Sequence, residues 1–201
     1  MKKVWILDDD KSIRWVFEKA LSRAKLPFQS FSNTNEAINQ FNHELPSVII
    51  SDIRMPGESG IDFLTKVKEK FPQIPIIIMT AYSDLDTAVS AFQQGAFEYI
   101  AKPFDIDKVL EIINQALEQT TTAVNNSSSQ DIKLPEIIGQ AQSMQEVFRA
   151  IGRLSKSNAT VLLNGESGSG KELVANAIHK NSNRNSSPFI AINTAAIPKD
   201  L

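Results

Sequence analysis

The sequence predicts an α/β protein: a doubly wound, five-stranded parallel sheet followed by a shorter, incomplete α/β segment. Three observations predict it. Short β-branched runs alternate with longer helical stripes up to Gln119. The runs Val48-Ile49-Ile50 and Ile76-Ile77-Ile78 are apolar without alternation, so their strands are covered on both faces, as in a parallel sheet. Polar or charged residues stand directly after the apolar runs, at the edge where open α/β sheets bind ligands.

Val4–Leu7 reads as the first strand. Ile13, Val16, Phe17, Ala20, Leu21 and Ala24 then recur at helical spacing until Pro27 stops the helix. Phe28–Phe31 is a weak strand, and residues 35–42 form a short helix with Thr34 or Asn35 as its cap. Residues 48–51 are a strand running straight into Asp52. Ile61, Leu64, Val67 and Phe71 make the next helical stripe, 75–79 a buried strand, 84–94 a helix and 97–100 a strand. A helix over 106–117, with Ile106, Val109, Leu110, Ile113 and Leu117 on one face, closes the set.

After Gln119 the composition turns small and polar, with Thr120-Thr121-Thr122 and Ser127-Ser128-Ser129, so residues 120–134 read as a flexible linker. Ser143 is expected to cap a helix bearing Met144, Val147, Phe148, Ile151 and Leu154, with Glu146 completing a capping box. A strand over 160–163, a glycine-rich turn, a helix over 171–179 and a strand over 189–192 follow. The expected organisation is a first domain over 1–119, the linker, and a partial second domain over 135–201.

Composition narrows the function. The chain has 201 residues, 42% of them apolar, which is enough for a sizeable core. A net charge of −2 leaves no nucleic-acid footprint, and the absence of cysteine excludes disulfide and thiol chemistry. The apolar run before Asp8 is too short for a signal peptide, and no stretch approaches the roughly 20 apolar residues of a membrane span. The expectation is a cytoplasmic protein without a membrane partner.

Asp8 and Asp9 follow the first strand, Asp52 the third, Thr80 the fourth and Lys102 the fifth, so the fold gathers all five on one rim of the sheet. Carboxylates that close repel one another unless a divalent cation sits among them, and oxygen ligands suit Mg²⁺. Such a metal can neutralise an incoming phosphoryl group while a carboxylate attacks phosphorus, and a hydroxyl and an ammonium can take the remaining oxygens. Taken singly, each residue has a plainer reading: a turn aspartate, a helix-capping Asp10, a core tyrosine, a surface lysine. Five of them at successive strand ends do not.

The set Leu7-Asp8-Asp9-Asp10, Ser51-Asp52-Ile53-Arg54-Met55-Pro56-Gly57, Met79-Thr80-Ala81 and Tyr99-Ile100-Ala101-Lys102-Pro103-Phe104 resembles response-regulator receiver domains, which have a flavodoxin-like fold. The resemblance implies that Asp52 is the phosphoacceptor and that Asp8, Asp9, Asp52 and the main-chain carbonyl of Arg54 hold Mg²⁺. It also implies that Thr80 and Tyr99 form a switch pair, that Lys102 contacts the phosphoryl group, and that Lys102-Pro103 is cis. Asp8-x-Asp10 after an apolar strand also resembles haloacid-dehalogenase-type phosphatases, which would make Asp8 the nucleophile. That reading leaves Asp52 and the Met55-Pro56-Gly57 turn unexplained.

Gly165-Glu166-Ser167-Gly168-Ser169-Gly170-Lys171-Glu172 matches a phosphate-binding loop, in which glycines aim backbone N–H groups at phosphates and Lys171 reaches the outer ones. Glu172 stands where a Ser or Thr usually binds Mg²⁺. With Ile138-Gly139, Leu173-Val174-Ala175 and Phe189-Ile190-Ala191-Ile192-Asn193, this stretch resembles the AAA+ domain of bacterial enhancer-binding activators of the nitrogen-regulator family. ATP as ligand follows from that resemblance. So do a sensor histidine kinase, a second receiver or the chain's own AAA+ domain, σN RNA polymerase and enhancer DNA as partners. No Walker B strand, arginine finger or helix-turn-helix follows the loop, so ATP hydrolysis and DNA binding are not expected of these residues alone. A stand-alone receiver acting as a phosphate sink remains the other reading.

Overall fold

The computed structural model describes residues 3–81, 85–119 and 142–192. Five strands, β1 (Val4–Leu7), β2 (Phe28–Phe31), β3 (Val48–Asp52), β4 (Ile76–Thr80) and β5 (Glu98–Ala101), pair all-parallel in the order β2-β1-β3-β4-β5. The order reverses between β1 and β3, which is where a doubly wound sheet opens a crevice at its strand C-termini. The expected flavodoxin-like sheet is therefore present.

Successive strand residues feed two cores. Trp5, Leu7, Ile49, Ile76 and Ile78 face the helices α2 (Thr34–Gln40), α3 (Gly60–Lys70) and α4 (Leu85–Gln93). Val4, Ile6, Val48, Ile50, Ile77 and Met79 face α1 (Lys11–Arg23) and α5 (Ile106–Gln119). With both faces occupied, the strands have no polar side, hence their unbroken apolar runs. The aromatic rings of Phe31 and Phe41 pack edge-on against Trp5, and Phe71 stacks on Phe41.

Helix starts follow local capping chemistry. The Asp10 side chain accepts from Ser12 N–H at 2.7 Å and caps α1, and Ser59 accepts from Ile61 N–H at 3.2 Å and caps α3. For α2 the cap is Asn33, whose side-chain Oδ1 accepts from Glu36 N–H at 3.0 Å, rather than Thr34 or Asn35. Glu36 reaches back to Ser32 N–H and to the Asn33 amide, which moves the capping interaction one residue upstream. α1 ends before Pro27, with Lys25 at φ 55 turning the chain.

Two further expectations are corrected in the second segment. Ser143 lies inside α6 (Gln142–Leu154) and is not its cap. Residues 160–163 and 189–192 form no strand among the described residues. Leu162, Ile190 and Ile192 are largely exposed there. A strand exists only through its ladder, and among the described residues these runs have no paired neighbour. The helix that follows, α7 (Lys171–Lys180), forms as expected. The linker over 120–134 and the Ile138-Gly139 pair lie outside the described residues.

Candidate functional site

Strand register assembles the site. Leu7 lies beside Ser51, Asp52 beside Met79, and Thr80 beside Ala101, so Asp8, Asp52, Thr80 and Lys102 emerge at one rim. Asp8 and Thr80 are buried, Asp52 is 7% exposed and Asp9 is exposed. Carboxylate oxygens of Asp8, Asp9 and Asp52 all lie within 4.8 Å of one another. The Lys102 ammonium donates to Asp8 Oδ2 at 2.7 Å and to Asp52 Oδ2 at 2.9 Å, joining the first and third strand ends from the fifth. The Lys102–Pro103 peptide is cis.

The electrostatics follow from burial. Desolvation pushes the Asp8 carboxyl above the ordinary range, and the nearby Asp52 charge adds to it, against hydrogen bonds from Lys102 and from Asp10 N–H at 2.9 Å. Burial opposes the Lys102 charge as well, but its bonds to Asp8 and Asp52 and their negative charges outweigh this and hold its pKa above the usual lysine value. Three clustered carboxylates with one ammonium leave a net negative pocket of hard oxygen donors, one of them open to water. That donor set fits Mg²⁺, which keeps several waters and takes one or two carboxylates. Arg54 stands exposed two residues past Asp52, in the turn that would offer its carbonyl. Tyr99, on the strand next to Thr80, is buried in the core cluster on the α4 side of the sheet.

Two residues that build this rim are not singled out by the sequence. The Arg14 guanidinium donates to the main-chain carbonyls of both Asp8, at 2.6 Å, and Asp9, at 3.0 Å, clamping the loop that presents the acid pair. The available signal is an arginine one turn into the helix that follows the acids. The second is Gly60, whose N–H donates to the Ile53 carbonyl at 2.8 Å and whose bare Cα abuts the Asp52 main chain.

The glycine-rich loop leads into α7 with Gly168 and Gly170 at φ 79 and 85, conformations that glycine adopts without strain. Lys171 folds back on it, donating to the carbonyls of Gly165 at 2.9 Å and Glu166 at 2.6 Å, and Ser169 Oγ donates to Glu166 O at 2.8 Å. The expected strand before it, over 160–163, is not formed among the described residues. Ser167 and Glu172 are exposed.

An acid cluster with a lysine at the C-terminal rim of a 2-1-3-4-5 sheet defines a class: the chain belongs to the response regulator receiver domain family, whose pattern matches residues 4–114. Residues 137–201 match the sigma-54 interaction domain, so this is a two-component response regulator of the NtrC type with the start of a σ54-activator domain. It is 52% identical over 204 residues to the DNA-binding transcriptional regulator NtrC of Escherichia coli K12, a match covering 98% of this chain and 42% of that protein. It is 38% identical over 199 residues to the luminescence regulatory protein LuxO of Vibrio campbellii, covering 98% of this chain and 44% of that one. The chain thus spans less than half the length of these curated relatives. Among solved structures, the BeF₃-activated NtrC receiver is 50% identical with a TM-score of 0.53, covering 59% of this chain and 98% of that one. NtrX from Brucella abortus in complex with ATP is 29% identical with a TM-score of 0.57, covering 100% of this chain and 45% of that one.

Proposed function

We propose that Asp52 accepts a phosphoryl group from a sensor histidine kinase and that this is the signal the chain transmits. The observation that carries the reading is the convergence of Asp8, Asp9, Asp52 and Lys102 at one strand rim. Asp9 and Asp52, helped by Asp8 and the Arg54 carbonyl, would hold Mg²⁺, which supplies charge neutralisation for the incoming phosphoryl oxygens. Asp52 provides the attacking carboxylate. Lys102 leaves its bridge to meet a phosphoryl oxygen, and Thr80 offers its hydroxyl to another. Thr80 moving inward would let Tyr99 follow and reshape the face built by α4 and β5.

For the wider setting we propose an enhancer-binding activator of nitrogen-assimilation genes governed by that phosphorylation; the names of the relatives, DNA-binding transcriptional regulators NtrC, and the matched sigma-54 interaction domain support it. We propose a first domain over 1–119, a linker over 120–134 and a partial ATP-binding domain over 135–201, its loop Gly165 to Glu172 cradling the phosphates. Among the described residues no helix is long and apolar enough to cross a membrane. The test is labelling with acetyl phosphate and Mg²⁺, followed by mapping of the acyl phosphate by mass spectrometry. Label at Asp52, lost in Asp52→Asn, is the expected result. Label at Asp8 would favour the phosphatase-like chemistry and overturn the assignment.

A further inference from the structure

Lys68 stands in the last turn of α3, where a surface lysine would hold its ammonium in water or on a carboxylate. Its Nζ reaches main chain instead, donating to the Pro72 carbonyl at 3.1 Å and to the Ile74 carbonyl at 2.8 Å. Its stem runs along Gly95, where a Cβ would stand 3.6 Å from both Cγ and Cε. Among the described residues no carboxylate pairs with it. The side-chain charge that acts on it is of its own sign, from Lys156 just past α6.

This set of neighbours suits a neutral amine better than an ammonium. Two carbonyls take two N–H bonds, which is all a neutral amine has, and its lone pair is left over. An ammonium carries a third N–H and a charge that burial and Lys156 both oppose. A lysine desolvated and set beside another cation is the usual form of an amine nucleophile. The nitrogen is also within reach of a small reagent: Lys68 is only half-buried, and Pro72 and Gln73 of the turn it bonds are exposed.

We propose that Lys68 is an acylation site that takes the acyl group of a small acyl phosphate, with acetyl phosphate as the donor. The nitrogen lone pair attacks the carbonyl carbon, and the bond from that carbon to the phosphate oxygen breaks. The proton shed by nitrogen leaves with the phosphate, so the products are an amide and inorganic phosphate. Asp52 opens the same kind of reagent at its other centre, attacking phosphorus and releasing acetate. The two sites thus read opposite ends of one donor, and only the Asp52 step calls for Mg²⁺. The acetamide formed at Lys68 has a single N–H and no charge. It therefore gives up one of the two bonds to the turn that leads into β4, and it ends the repulsion with Lys156.

The test treats the full 201-residue chain with acetyl phosphate in EDTA and follows acetylation of each lysine by peptide mass spectrometry. The exposed Lys70 and Lys108 serve as internal references. With its pKa lowered from 10.5 to about 8, the neutral fraction of Lys68 at pH 8 is roughly a hundredfold that of an ordinary lysine. Partial burial and weaker basicity take back part of this, so Lys68 should label about tenfold faster than either reference. Its rate should level off above pH 8, where an ordinary lysine's keeps climbing. Lys156→Gln, a change at an exposed position, should slow Lys68 labelling at pH 8 and move the plateau upward. Labelling of Lys68 no faster than Lys70 and Lys108, or a rate that climbs without a plateau, overturns the proposal. Adding Mg²⁺ tests the receiver reading separately. Absence of label at Asp52 beside fast labelling of Lys68 upholds the acylation site and overturns the receiver reading.

Discussion

Gly60 and Asp52 are in main-chain contact: a Cβ on Gly60 would sit 2.9 Å from the Asp52 carbonyl carbon and closer still to its oxygen. The start of α3 is therefore pressed against the end of β3, and the carboxylate of Asp52 is aimed by backbone packing. Gly60→Ala gains helix propensity but must push the two apart. It is expected to destabilise the fold by about 1–3 kcal/mol, the usual cost of overpacking, and to slow Asp52 phosphorylation more than it changes helix content. Urea unfolding and acetyl-phosphate labelling rates measure the two effects, and a stabilised, fully active Gly60→Ala would contradict the contact.

Arg14 acts on the other half of the site. Its two bonds to the Asp8 and Asp9 carbonyls hold the loop that orients both acids. Arg14→Ala should raise the Mg²⁺ concentration needed for half-maximal labelling by about tenfold, since charge-assisted hydrogen bonds are worth on the order of 1.5–3 kcal/mol and water replaces part of that. Arg14→Lys, which keeps the charge on a differently shaped side chain, should fall between. Equal Mg²⁺ demand in all three proteins would remove Arg14 from the positioning role.

The acid cluster also predicts a stability effect of the metal. Asp8 is buried, and the Asp52 charge acts against its own. Asp52→Asn removes that repulsion, so in EDTA the variant should be more stable than the parent by about 1 kcal/mol. In Mg²⁺ the order should narrow or reverse, because the parent alone keeps the full ligand set. Thermal melts in EDTA and in Mg²⁺ give the comparison, and a destabilised Asp52→Asn in EDTA would speak against crowded charge.

Lys68 predicts a pH dependence away from the site. Burial lowers its pKa to about 8, with the Lys156 charge adding to the effect, while its ammonium donates to the Pro72 carbonyl at 3.1 Å and the Ile74 carbonyl at 2.8 Å. The unfolded chain holds this proton up to about 10.5, so between pH 8 and 10.5 the unfolded state binds more protons and stability rises with pH. For one group the rise is at most about 3 kcal/mol, and less to the extent that water reaches the ammonium. Lys68→Met should flatten this rise in urea midpoints measured across the window. An identical slope in the variant would assign it to other groups.

The receiver half was legible in the sequence for physical reasons. Val48-Ile49-Ile50 and Ile76-Ile77-Ile78 admit no solvent face, so only a sheet covered on both sides accommodates them, and Asp8, Asp52, Thr80 and Lys102 follow their strands so closely that parallel pairing must gather them. What local pattern could not determine depended on partners distant in the chain. Residues 160–163 and 189–192 carry strand composition but find no ladder, because pairing is a property of neighbours and not of the run itself. In the same way the role of Gly60 comes from the Asp52 carbonyl that lies against it, and that of Arg14 from the loop it reaches back to. The seat of α6 is the clearest case. Its apolar stripe announces that a face must be buried, but Phe92 and Glu98, more than fifty residues upstream of the Gly152 and Arg153 they meet, decide against what.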